Sequence, residues 1–138
     1  LLPRVMIFLV VAMNLQGAFA YMFNPLPYVA PFELDGEPGR VAIIGIGILF
    51  VMWQVPYVFA LVHPQRNRRS LLEASLMQGI GLAGETLLLR SIPGTHVSLR
   101  ASILRFVIFD AVGLLLLLIA LIYIFRLLKS ETGESHAD

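Results

Sequence analysis

LLEASLMQGIGLAGETLLLRSI, residues 71–92, is the stretch on which the fold turns. If it crosses a bilayer, the chain has one more membrane helix than its purely apolar segments give. A bilayer core of ~30 Å takes roughly 20 residues of helix, and this segment is long enough. It also carries Glu73, Glu85 and Arg90, which make it the most polar of the long stretches. Its flanks argue for a span. The Arg-rich turn HPQRNRRS (63–70) precedes it, and Pro93-Gly94 follows it.

Outward from this segment the pattern is plain. VAIIGIGILFVMWQVPYVFALV (41–62) lies before it and ASILRFVIFDAVGLLLLLIALIYIFRL (101–127) after it; VMIFLVVAMNLQGAFAYMF follows Arg4 to make a span at 4–23. These lengths fit helices; barrel strands need only about 9–11 residues of alternating polarity. Arg4, the apolar run and Ala18-Phe19-Ala20 imitate a signal peptide, but the run is long enough to be a first membrane helix. The expected fold is an all-α integral membrane protein. It is a bundle of four transmembrane helices at about 4–23, 41–62, 71–92 and 101–127, forming a domain over 1–128. A polar tail over 129–138 follows and is expected to be disordered.

Composition supports this placement. The chain has 138 residues, 58% hydrophobic and 14% charged, with a mean hydropathy of +0.83. A soluble domain is about 45–50% apolar and about 25% charged, so a conventional soluble enzyme and a disordered chain are both excluded. A net charge of +1 gives no field for nucleic acid. The chain has no cysteine, which excludes disulfides, thiolate catalysis, c-type haem, iron–sulfur clusters and Cys-ligated zinc.

Charge sets the orientation. Arg4, Arg66, Arg68, Arg69, Arg126 and Lys129 fall on one side of a four-span bundle, against Arg40, Arg90 and Arg100 on the other. The positive-inside rule then places both termini and the 63–70 turn in the cytoplasm, and the protein in the plasma (inner) membrane. Glu73 is read as an interfacial ion pair with Arg68 or Arg69, or as a first-turn helix charge. The acidic outer loop NPLPYVAPFELDGEPGR (24–40) lacks the ligand pattern of an EF-hand and reads as a solvated turn. Tyr21, Phe23, Tyr28 and Phe32 are expected to anchor it among the headgroups.

Small and polar residues mark helix contacts in lipid. Steps of three and four trace one such line per helix: Ile7, Val10, Asn14, Gly17, Tyr21; Gly47, Phe50, Gln54, Tyr57, Leu61; Ala74, Gln78, Gly81, Glu85, Leu88, Ile92; and Phe106, Asp110, Gly113, Leu117. At ~1.5 Å per residue they form two tiers. Asn14, Glu85 and Asp110 lie ~10–14 Å below the outer boundary, and Gln54, Tyr57 and Gln78 lie ~20–24 Å below it. A carboxylate at such depth is costly unless protonated, paired or hydrated. Arg105, Asn14 and a proton shared between the carboxyls are the candidate remedies, with Arg105 better placed for Glu85 than for Asp110. Asn14, Glu85, Arg105 and Asp110 are therefore either a ligand- or proton-binding cavity or a polar cluster that sets helix register. Gln54, Tyr57 and Gln78 are the candidate inner contacts for a ligand.

Other motifs carry less. Gly79, Gly81 and Gly84 spell G-x-G-x-x-G without the strand and βαβ context of a dinucleotide site; here they permit close helix approach. Pro56 invites a kink. His63, His96 and His136 lie in turns and tail, which argues against a bis-histidine haem, and no metal constellation stands out. Trp53 is placed against lipid or another subunit.

The chain length, long first outer loop, Arg-rich turn between the second and third spans and polar third span resemble the DoxX-like group of small four-helix bacterial membrane proteins. The resemblance implies a link to quinone-dependent or redox complexes. Function is expected first as an accessory or structural subunit of a larger complex or homo-oligomer. The alternative is a small transporter or a ligand- or proton-binding protein using the polar cavity, and the third possibility is a lipid- or quinone-handling protein. No nucleophile, metal or oxyanion device points to an enzyme. Expected partners are membrane lipids and other membrane subunits or a second copy; bound lipid or quinone is the cofactor the pattern allows.

Overall fold

The structure is a computed structural model that describes residues 1–134, with side chains through residue 127. Within these residues it is all-helical, with no strand. The long helices are α1 (Leu2–Phe23), α3 (Gly36–Val62), α4 (Arg68–Ser91) and α5 (Val97–Glu134). A short helix α2 (Leu26–Val29) and a 3-10 turn (Ala30–Phe32) connect α1 to α3. Three helices are long and apolar enough to cross a membrane: Leu2–Phe23, Gly36–Val62 and Val97–Leu127. The 71–92 stretch forms the helix the sequence predicts, but its composition keeps it out of that set.

The long helices touch in a ring, α1 to α3 to α4 to α5 and back to α1, with α1–α3 and α4–α5 the broadest seams. Their directions alternate. Arg4 at the start of α1 donates to the Val62 carbonyl at the end of α3, at 2.8 Å. At the opposite end, Glu33 of the α1–α3 connector meets His96 and Leu99 beyond α4.

Helix ends orphan their last carbonyls, and in lipid such groups must be satisfied internally. Side chains do so here. Arg4 takes Val62, and Asn67 donates to the Phe59 carbonyl at 2.7 Å. Arg100 donates to the Leu89 and Ile92 carbonyls at the end of α4, at 2.9 and 2.5 Å. Pro3 sits in the first turn of α1, where its missing N–H costs nothing.

Several boundaries differ from the sequence reading. The outer loop is not an open turn, because α2, the 3-10 turn and the first turn of α3 occupy most of it. Glu37 and Arg40 pair at i,i+3 in that first turn, at 2.8 and 2.5 Å, and this extends α3 below residue 41. α5 likewise begins earlier than 101 and runs to Glu134, so the tail is helical as far as it is described; residues 135–138 lie outside the described set, His136 among them. Tyr21 is buried and meets Tyr28 edge-on at 4.5 Å and Phe32 at 6.4 Å, so these rings pack inward; only Phe23 is fully outward. Glu73 is exposed and forms no ion pair among the described residues.

The core lies towards the Arg4 end. Ile7, Val10 and Val11 of α1, Tyr57 and Ala60 of α3, Leu71 and Ala74 of α4, and Leu117, Ala120, Leu121 and Ile124 of α5 form one cluster. Outward side chains on the apolar helices, such as Phe8, Met52, Phe59, Leu115, Ile122 and Phe125, are exposed and compatible with contact with lipid tails.

Candidate functional site

The inward lines traced in the sequence are the faces that meet. Ile7, Val10, Asn14 and Tyr21 are buried on α1, and Gly47, Gln54 and Tyr57 on α3. Ala74 and Gln78 are buried on α4, and Gly113 and Leu117 on α5. α4 is uneven along its length. Its buried residues are Leu71, Ala74, Ser75 and Gln78, so from Gly79 onward nothing on it is enclosed.

Along this stretch of α4 a cavity of about 440 Å³ opens. Asn14, Gln54, Tyr57, Gln78, Glu85 and Asp110 all line it, with Phe50, Trp53 and Phe109 as aromatic walls. The structure thus brings together every predicted site residue except Arg105. Trp53 and Ile80 are exposed at its rim, so it opens between α3 and α4 to the outside of the bundle.

Inside, one hydrogen-bonded chain crosses three helices. The Tyr57 hydroxyl donates to Gln78 Oε1 at 2.6 Å, and Gln78 Nε2 donates to Asp110 Oδ1 at 2.8 Å. Asp110 therefore pairs with a residue read from sequence as the inner tier, not with Glu85 or Asn14. A side-chain amide reaches several ångströms along the helix, and this closes the gap between the tiers. Two glycines make the room. A Cβ at position 81 would sit 2.5 Å from Asp110 Oδ2, and one at position 113 would sit 2.7 Å from Gln78 Nε2. Of the G-x-G-x-x-G letters, only Gly81 answers to a neighbour; Gly79 and Gly84 face open space.

The other polar groups are not closed off. Glu85 Oε2 and Gln54 Oε1 are buried with no partner. Gln54 Nε2 makes only a long 3.4 Å bond to the Phe50 carbonyl. Both orphans are acceptors. A buried acceptor without a donor costs ~1–3 kcal/mol, and both of these lie in residues that line this one cavity.

Arg105 does not join Glu85. It is exposed and forms no ion pair among the described residues. It lines a second chamber of about 210 Å³, nearer the connector, with Tyr21, Tyr28, Phe32, Phe106 and Ser102. Asn14, Phe50 and Phe109 line both spaces and form the partition between them. Phe50 meets Phe106 at 5.9 Å and Tyr21 at 6.1 Å.

Sequence reasoning missed this chamber and its roof. The Ser102 hydroxyl donates to the Pro31 carbonyl at 2.9 Å. Glu33 accepts from the Leu99 N–H at 3.3 Å and lies 2.5 Å from His96 Nδ1. The His96 hydrogen bond, chiefly, holds the Glu33 carboxyl below its ordinary range. One signal was present: Ser102 lies one turn before Phe106 on the line that runs to Asp110 and Gly113. The chain was compared with protein-family models, curated proteins and solved structures, and it matches none of them.

Proposed function

We propose that the chain is a four-helix transmembrane protein, with α4 as its fourth span, that binds an amphiphile within the bilayer. The head group carries hydrogen-bond donors, such as hydroxyls, and the apolar body leaves between α3 and α4. The observation that carries this reading is the pair of buried, unpartnered acceptors, Gln54 Oε1 and Glu85 Oε2, on one cavity. An α4 that spans accounts for Gln78 and Glu85, which line the cavity, while Leu76 and Leu87 are exposed. Under the layout shared with the DoxX-like group, a quinol is one such head group. The positive-inside bias supports cytoplasmic termini in the plasma (inner) membrane.

Transport of protons along the Tyr57–Gln78–Asp110 chain is the weaker reading. An amide holds its protons at neutral pH, so Gln78 positions Asp110 rather than draining it. An accessory subunit is the second reading, favoured by the exposed apolar ridge of Val112, Leu115, Ile119 and Ile122 on α5. It predicts co-purification of a partner chain or a second copy under gentle detergent extraction.

Trp53 is the single tryptophan and lines the cavity, so its fluorescence reports occupancy. Titration of the reconstituted chain with n-decyl hydroquinone should shift Trp53 emission saturably, and the oxidised n-decyl quinone should bind more weakly. Gln54→Leu and Glu85→Leu should each weaken binding about tenfold, the scale of one lost hydrogen bond. Equal affinity for both forms, with both variants unaffected, would overturn the proposal.

A further inference from the structure

We propose a second site, unconnected with the first, at the opposite end of the bundle: a cleft that holds the phosphate of an anionic phospholipid. The cleft has a volume of about 450 Å³. Arg4 enters it from α1, His63, Gln65 and Arg66 from the α3–α4 turn, and Tyr123 from α5. Among the described residues no carboxylate lines it.

Arg4 is already oriented. Its Nη2 donates to the Val62 carbonyl at 2.8 Å and lies 3.4 Å from His63 Nδ1. A guanidinium has five N–H donors in a planar fork, so its other donors stay free to grip a phosphate in the two-point geometry that arginine favours. Arg66 is exposed and has no hydrogen bond or ion pair among the described residues. The Tyr123 hydroxyl and the His63 imidazole add donors at the rim.

The walls distinguish a lipid from a free anion. Pro3, Ile124 and Leu127 give the cleft an apolar side. That side continues into Leu2, Val5 and Phe125, which are exposed on the outer surface of α1 and α5. A phosphodiester seated on Arg4 and Arg66 would have its acyl chains on this surface. Basic pockets between membrane helices on the positive side are the sequence-readable form of anionic lipid binding.

The test uses the full chain in nanodiscs of phosphatidylcholine alone or mixed with phosphatidylglycerol, with retained lipid counted by native mass spectrometry. The wild type should retain phosphatidylglycerol in preference to phosphatidylcholine. Arg66→Gln should lower the preference about fivefold, and with Arg4→Gln the loss should reach about thirtyfold. Arg66 is exposed and makes no hydrogen bond or ion pair among the described residues, so its single variant answers even if Arg4→Gln unfolds. Arg68→Gln with Arg69→Gln, outside the cleft on the same end, should leave the preference intact. Added inorganic phosphate should not displace the lipid. A loss as large in the Arg68/Arg69 variant, an unchanged preference in Arg66→Gln, or displacement by phosphate would each overturn the site.

Discussion

Two halves of the same bundle are packed on different terms. Towards the Arg4 end, all four long helices contribute to one cluster, from Ile7 through Tyr57 and Leu71 to Ile124. Towards the connector, the cluster of Tyr21, Val29 and Ile43 with Phe50 and Phe106 takes nothing from α4. The first half is mostly aliphatic, with Tyr57 the one aromatic ring among its buried residues. The second is aromatic, hollow and bordered by carboxyls. Since the same helices run through both, the difference lies in side-chain choice along each. The closed half, where all four long helices meet, holds the bundle together; in the other half α4 stays against α5, with Gly81 beside Asp110.

The strongest way to break the comparison is to injure each half alike. Leu117 is fully buried in the closed half. Leu117→Ala should cost about 2–5 kcal/mol, as large-to-small changes in packed cores do, measured by denaturant titration in mixed micelles. Leu88→Ala, at a half-exposed position on the cavity, should change stability by less than about 0.5 kcal/mol. Equal losses would mean that the halves are not distinct.

Next in size is Gly113→Ala. Its methyl would fall 2.7 Å from Gln78 Nε2, so the amide must leave Asp110 or α5 must shift. A cost of about 1–3 kcal/mol is expected for such overpacking, and the same assay reads it. Tyr57→Phe should cost less, about 1 kcal/mol, by leaving Gln78 Oε1 without its donor. If Tyr57→Phe is neutral, the three-helix chain adds nothing to stability and serves only to aim Asp110.

The smallest effect concerns the roof over the aromatic chamber. The folded Glu33 carboxyl sits below its ordinary value of 4.5, so its latch to His96 and Leu99 is fully present above that value. It is lost as pH falls through the lower, folded value. Hydrogen exchange at the Leu99 amide should therefore be slow at neutral pH, after correction for intrinsic rates, and should gain protection factor losses only in acid. Glu33→Gln should remove most of that pH dependence while leaving global unfolding unchanged.

Much of the bundle was legible because steps of three and four along a helix select one face. Asn14, Gln54, Gln78 and Gly113 all fell on inward lines for that reason alone. Depth counting placed Glu85 and Asp110 at similar heights, yet it missed the partner of Asp110. Residue counting locates Cα atoms, whereas Gln78 reaches Asp110 with its amide, and Arg105 extends into a different chamber. The connector was illegible for another cause. Its α2 turn, its roof and the Glu33 latch depend on contacts with α5 that are far away in sequence, and no local periodicity records them.

The two glycines opposite the hydrogen-bonded chain have a consequence for how such a chain can vary. Position 81 is shaped by the carboxyl at 110, and position 113 by the amide at 78. Each pair can then change only jointly. An alanine at 81 would be tolerated beside a shorter or absent acid at 110, and an alanine at 113 beside a smaller residue at 78. In a library randomised at these four positions and sorted for folded protein, survivors should be enriched in matched small–large pairs rather than in any one residue.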